Sequence, residues 1–173
     1  HAWLEASHEA SGGAYLVAWK KGRGPHISPV EVIPELLAHG WIDSKSMKFD
    51  EDRTALTITP RNPKSNWSRR NKEIIATLEA EGRMTPAGAA MVAIAKETGT
   101  WTALDEVEAL IEPADLRAAL DAEPAARESW DGFPRSPKRA MLEWVMTAKR
   151  PETRERRITA IVEKAVVGER AAG

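Results

Sequence analysis

The chain has 173 residues, a formal net charge of -1 and no cysteine. That length suffices for a hydrophobic core without covalent staples, and 42% hydrophobic with 29% charged residues argues against both a disordered and a membrane-embedded chain. Near-zero charge excludes wholesale attraction to nucleic acid or anionic lipid, and the missing cysteines exclude disulfides, thiolate metal sites, thiol nucleophiles and thiol redox switching.

No apolar run nears the roughly 18 residues that span a bilayer, and no charged-then-apolar leader opens the chain. The expected location is therefore the cytoplasm, without membrane insertion, a reducing compartment that suits the absence of cysteine. Because the sequence opens at His1 rather than Met, residues are expected to be missing upstream.

In chain order, Tyr15 to Lys20 reads as a strand, and the turn formers Lys21-Gly22-Arg23-Gly24-Pro25 follow it. Ser28-Pro29-Val30-Glu31 supplies an N-cap, a first-turn proline and a capping-box carboxylate, so a helix is predicted to run to Gly40. Pro34 inside it predicts a kink or a later start, because it deletes a hydrogen bond and collides with the preceding turn. Trp41 to Phe49 and Arg53 to Thr59 form a predicted hairpin around Asp50-Glu51-Asp52, with Leu56 and Ile58 on one face. Pro60-Arg61-Asn62-Pro63-Lys64 then breaks the chain, and only helical periods follow.

A helix from Asn66 to Glu81 is expected to bury Trp67, Ile74, Ile75 and Leu78 and stop at Gly82. Thr85-Pro86 opens the next, with Ala87, Ala90, Met91, Ile94 and Ala95 as its inner stripe up to Gly99. Short helices follow Pro113 and Pro124, another starts at Ser136-Pro137, and the last opens at Pro151 with Ile158, Ile161, Val162 and Ala165 inward. The predicted class is α+β: a small N-terminal antiparallel sheet with a helix over residues 1–64, then a larger all-helical module over 65–173.

Charge is segregated along the helical part. Arg61, Lys64, Arg69, Arg70 and Lys72 stand without an acid among them. An acidic stretch follows from Glu97 to Asp131, and a second basic one runs from Arg135 to Arg157. Either these stretches neutralise one another within the fold, or the cations face an outside anion.

Catalytic signposts are missing: there is no nucleophile elbow, no phosphate-binding Walker loop, no Gly-x-Gly-x-x-Gly and no His-Glu-x-x-His. His1, His8, His26 and His39 are scattered and none has the i, i+4 spacing of helical metal ligands, so neither a metal nor a cofactor is expected. His39 is read as a partner for a helix C-terminus, and Asp43 as a turn acceptor rather than a catalytic acid.

Two candidate binding sites remain. In the first, Ser65 or Ser68 caps a helix whose free N–H groups lie beside Arg61, Lys64 and Arg69, with Trp67 adjacent, an arrangement suited to phosphate or carboxylate. In the second, Lys149 and Arg150 at a helix break approach Arg154 and Arg157 one turn on. The competing reading makes Trp67 a staple of its helix to the core and the second group a salt-bridge lattice with the acidic stretch.

Several ordered motifs carry a family resemblance. Gly40-Trp41-Ile42-Asp43, Pro60-Arg61, Ser65-Asn66-Trp67-Ser68, Asn71-Lys72 and Gly82-Arg83-Met84-Thr85-Pro86-Ala87-Gly88 recur colinearly with Phe133-Pro134-Arg135-Ser136, Leu142-Glu143-Trp144, Ala148-Lys149-Arg150-Pro151-Glu152-Thr153-Arg154 and Arg156-Arg157-Ile158. Over nearly the whole chain this resembles the YdeI/OmpD-associated, bacteriocin-protection family, whose C-terminal region would lie at about 113–170. The resemblance implies a stretch preceding Trp3-Leu4-Glu5 in other members and a plain helix former where Pro34 stands. It also implies a role in stress or antimicrobial-peptide tolerance through a protein partner, envelope-linked as the family label has it, and brings no catalytic residue with it.

The expected function is thus non-enzymatic binding. The alternative is recognition of nucleic acid or a phosphorylated small molecule through the two basic groups, which a cleft between the N-terminal sheet and the helix after Pro63 would favour.

Overall fold

The computed structural model describes residues 1–7, 9 and 12–171; His8, one of the four histidines weighed above, lies outside them. The chain divides into two compact units, His1–Ala103 and Leu104–Gly173.

The first unit holds helix α1 (Ala2–Ser7), strand β1 (Ala14–Trp19), helix α2 (Pro29–Ala38), strands β2 (Trp41–Lys48) and β3 (Arg53–Pro60), and helices α3 (Arg69–Ala80) and α4 (Pro86–Thr98). The antiparallel sheet has the order β1-β3-β2, with Leu16 opposite Leu56 and Met47 opposite Ala55. A register shift interrupts β2 between Asp43 and Ser46. The hairpin turn is held by Asp50, whose carboxylate accepts from the backbone N–H of Asp52 and Arg53 and pairs with the Arg53 guanidinium. The strands and the hairpin lie where the alternation placed them.

Helix α2 is packed on two sides, which its run of apolar residues requires. Val32 and Leu36 join Leu4, Trp41 and Ile58 against the sheet. Ile33, Leu37 and Ala38 join Trp67, Ile75, Leu78, Val92 and Ala95 from the α3 and α4 side. The first unit therefore extends to Ala103, and the expected boundary at 64/65 falls inside it: α3 and α4 complete the core that α2 begins.

Three further expectations are corrected. Helix α2 starts at Pro29, so the later start that Pro34 suggested does not occur, and the hydrogen bond Pro34 cannot make falls at Val30 in the exposed first turn. Helix α3 begins at Arg69 rather than Asn66, since Ser68 is its N-cap and its hydroxyl accepts from the Asn71 N–H at 3.3 Å. Helix α4 buries Gly88, Val92 and Ala95, while Ala90 is exposed. A Cβ on Gly88 would sit 2.2 Å from the Ala38 carbonyl oxygen, so the two backbones touch there and rotate the inner stripe by one position.

The second unit is helical: α5 (Asp105–Glu108), α6 (Ala114–Asp121), α7 (Pro124–Gly132), α8 (Arg135–Met146) and α9 (Pro151–Val166). Its core gathers Leu116, Leu120, Ala126, Trp130, Met141, Leu142, Val145, Ile161 and Ala165. Among the described residues no helix is long and apolar enough to cross a membrane.

Candidate functional site

Of the two readings of the basic groups, internal engagement accounts for several of their cations. Arg61 is 5% exposed. Its guanidinium lies 3.8 Å from the centre of the buried Trp67 ring and donates to the Asn66 carbonyl at 2.6 Å. Burial pushes its pKa down to about 10, so it stays cationic at neutral pH, stabilised by the ring face rather than by a carboxylate. Ser65 donates its hydroxyl to the Asn62 carbonyl at 2.6 Å, and Arg69 pairs loosely with Glu73 at 3.6 Å. Of this group, Lys64 is exposed and its ammonium meets no carboxylate among the described residues.

In the second unit the acidic and basic stretches meet. Arg154 holds Asp115 by a two-pronged contact, Nε to Oδ2 at 2.6 Å and Nη2 to Oδ1 at 2.9 Å. This contact drives the Asp115 pKa down and the Arg154 pKa up. Arg157 donates to the Trp144 carbonyl and to Thr147 Oγ1 and lies over the Trp144 ring. Arg139 bridges Glu108 and Glu143, and Arg127 donates twice to Glu112, which also accepts from the Trp130 indole at 2.7 Å. Lys149 and Arg150 are exposed. The predicted corner of Lys149, Arg150, Arg154 and Arg157 is therefore split: Arg154 and Arg157 are engaged by the unit's own carboxylate, hydroxyl and carbonyl groups, while Lys149 and Arg150 at the helix break are exposed.

What the sequence did not mark is a cleft of about 330 Å3 in the first unit. Its walls are Trp3 and Leu4 of α1, Ala14, Tyr15, Leu16 and Val17 of β1, Ile27, Ile58, and Val32 and Leu36 of α2, with His1, Glu31 and Glu35 as its polar side. It lies between the sheet and helices α1 and α2, not at the helix after Pro63. The Glu31 carboxylate accepts from the Ser28 backbone N–H at 2.9 Å and from its hydroxyl at 2.8 Å, and these bonds lower its pKa. Glu35 accepts from Arg83 at 2.6 Å and meets the His1 imidazole at 2.8 Å. His39 caps the end of α2, as expected, by donating Nδ1–H to the Glu35 carbonyl at 2.9 Å.

Trp3 is 45% exposed and packs edge-on against the buried Trp41 at 5.6 Å. One signal in the sequence could have pointed here: Ala14 to Trp19 is apolar at every position, so whichever face meets the core, Tyr15 and Val17 or their neighbours must be left at a surface.

Comparison with known families places both halves of the molecule. Residues 1–91 match a domain of unknown function, DUF8412, and residues 109–168 match the family described as bacteriocin-protection, YdeI or OmpD-associated. The chain belongs to the DUF8412 family and carries a YdeI/OmpD-associated region. The DUF8412 match covers all three strands and the cleft, and the YdeI/OmpD-associated match, the family resembled by the ordered motifs, covers α6–α9 and their immediate approach. No curated protein and no solved structure matches the chain.

Proposed function

We propose that this DUF8412 protein acts by non-enzymatic binding, with the cleft of the first unit as the site where an apolar ligand enters. The cleft itself carries this reading. At about 330 Å3 it falls within the range of small-molecule sites, roughly 300–1,000 Å3, and its walls are apolar with a few polar groups along one side. Support for a role in stress or antimicrobial-peptide tolerance is the description of the family matched by residues 109–168, which names bacteriocin protection. Against recognition of nucleic acid through the two predicted groups stands the inward engagement of Arg61, Arg154 and Arg157, which withdraws three of their cations from an outside phosphate.

Titration with the apolar dye anilinonaphthalene sulfonate, read by dye emission and by tryptophan quenching, tests this. Binding is expected in wild type, and Ala14→Phe, which fills the cleft from β1, weakens it by about tenfold. Unchanged dye affinity in that variant, together with salt-sensitive binding of a single-stranded oligonucleotide, overturns the proposal in favour of the basic groups.

A further inference from the structure

The cleft is lined by four consecutive residues of β1, Ala14 to Val17. Successive side chains of a strand leave on opposite faces, so a cleft that touches all four runs along the strand's edge rather than over one face. That edge is open. In the sheet order β1-β3-β2, strand β1 has β3 on one side and no strand among the described residues on the other.

The hydrogen-bond phase of the ladder says which groups face outward. The Lys20 N–H donates at 2.8 Å to the carbonyl of Asp52, the residue opposite it when the β1–β3 register is continued by one step, and this sets the hydrogen-bonded phase of the ladder. Pairs two residues apart share this state, so Ala18, Leu16 and Ala14 also turn their backbone groups toward β3. Tyr15, Val17 and Trp19 therefore turn theirs away. The Trp19 carbonyl is taken by His26 Nδ1–H at 2.5 Å. The N–H and C=O of Tyr15 and Val17 and the N–H of Trp19 have no partner among the described residues.

The opposite edge is guarded and this one is not. Strand β2 carries Lys45 and Lys48 and is broken by the register shift, both of which discourage further pairing. Strand β1, Ala-Tyr-Leu-Val-Ala-Trp, has no charge, proline or bulge, and exposes Tyr15 and Val17. Beside it the carboxylate of Glu31, held ionised by Ser28 and paired with no Lys or Arg head among the described residues, gives the cleft a negative side.

Resting on the reading of the cleft as a binding site, we propose that its ligand is an extended peptide that adds to the β1 edge as a fourth strand. Its alternate apolar side chains enter the cleft and a basic side chain among them meets Glu31. Main-chain bonds to Tyr15, Val17 and Trp19 supply affinity, and the cleft and carboxylate select sequence. A second copy of this chain is the poorer fit, since a β1 strand brings no cation to that carboxylate.

The probe is the fluorescein-labelled peptide Thr-Lys-Thr-Val-Thr-Val-Thr, capped at both ends, followed by anisotropy, with displacement of anilinonaphthalene sulfonate in parallel. The peptide is expected to bind and displace the dye, and replacing its Lys by Glu weakens it by about tenfold. Methylating one alternate set of its amide nitrogens abolishes binding, while methylating the other set leaves it, because only one set faces β1. Val17→Pro removes an outward N–H, leaves the β1–β3 ladder intact, and lowers affinity by about tenfold as well.

Dye binding without peptide binding up to about 1 mM overturns strand addition while leaving the cleft as an apolar site. Peptide binding that is equally indifferent or equally sensitive to both methylation patterns also overturns it. Sedimentation showing a dimer that Val17→Pro dissolves assigns the edge to a second copy and overturns it too. Failure of both dye and peptide removes the underlying reading itself.

Discussion

At the scale of single residues, the positions that define the first unit are those where backbone or ring faces close on each other. Gly88 is one. Its backbone is pressed onto the last turn of α2, where the Ala38 carbonyl also accepts from the Thr85 hydroxyl at 2.6 Å. Gly88→Ala is expected to cost about 2–3 kcal/mol, because the obstructing atom is backbone and cannot rotate away. Gly82 is the control: it has a φ of +66° but open space around it, so Gly82→Ala costs about 1 kcal/mol from its left-handed conformation alone. Urea midpoints of the two variants check the ordering, and equal losses would contradict it. Gly82 was legible as a helix stop, whereas nothing in the sequence announced the close approach at Gly88, which shows only once its neighbours are placed. Arg61 and Trp67 teach the same point: adjacent to turns and cations, they resemble an open anion platform, yet the ring is 2% exposed and serves as the surface on which the guanidinium is buried.

At the scale of elements, starts and stops were legible where a side chain or proline fixes them. Ser28-Pro29 with Glu31, Thr85-Pro86, Pro124 and Pro151 each open the helix expected of them. Helices α1 and α5 escaped because six and four residues are too few to show a 3.6-residue period. Pairing of charge between elements was half legible: segregation along the chain suggested neutralisation, but only geometry shows Arg154 of α9 reaching Asp115 of α6. Because the Asp115 pKa is depressed in the folded protein, this pair stabilises above the ordinary carboxylate value of 3.8, and its contribution is lost as falling pH protonates the group. Asp115 is 46% exposed, so the effect is modest. Asp115→Asn is expected to lower stability at pH 7 by about 1 kcal/mol or less, with the gap to wild type narrowing as unfolding is measured toward pH 3. A gap of constant size across that range would show that the asparagine acts through packing instead.

At the scale of the whole molecule, the α+β class and the order of strands and helices followed from periodicity, whereas the division into units did not. The break at Pro60 to Lys64 looks like a linker by composition, but α2 has two apolar sides and needs α3 and α4 to cover the second. Likewise the cleft is made by residues from four separate segments, each of which reads in isolation as ordinary core. The proposed function rests on the first unit's cleft, and in the second unit Arg127, Arg139 and Arg154 are engaged by its own carboxylates. Amide chemical-shift mapping of the isotope-labelled protein during titration with anilinonaphthalene sulfonate tests this most directly. Shifts are expected to concentrate at Trp3, Ala14 to Val17, Ile27, Val32 and Leu36; shifts centred on Lys64, Lys149 and Arg150, or none at all, would contradict binding in the cleft.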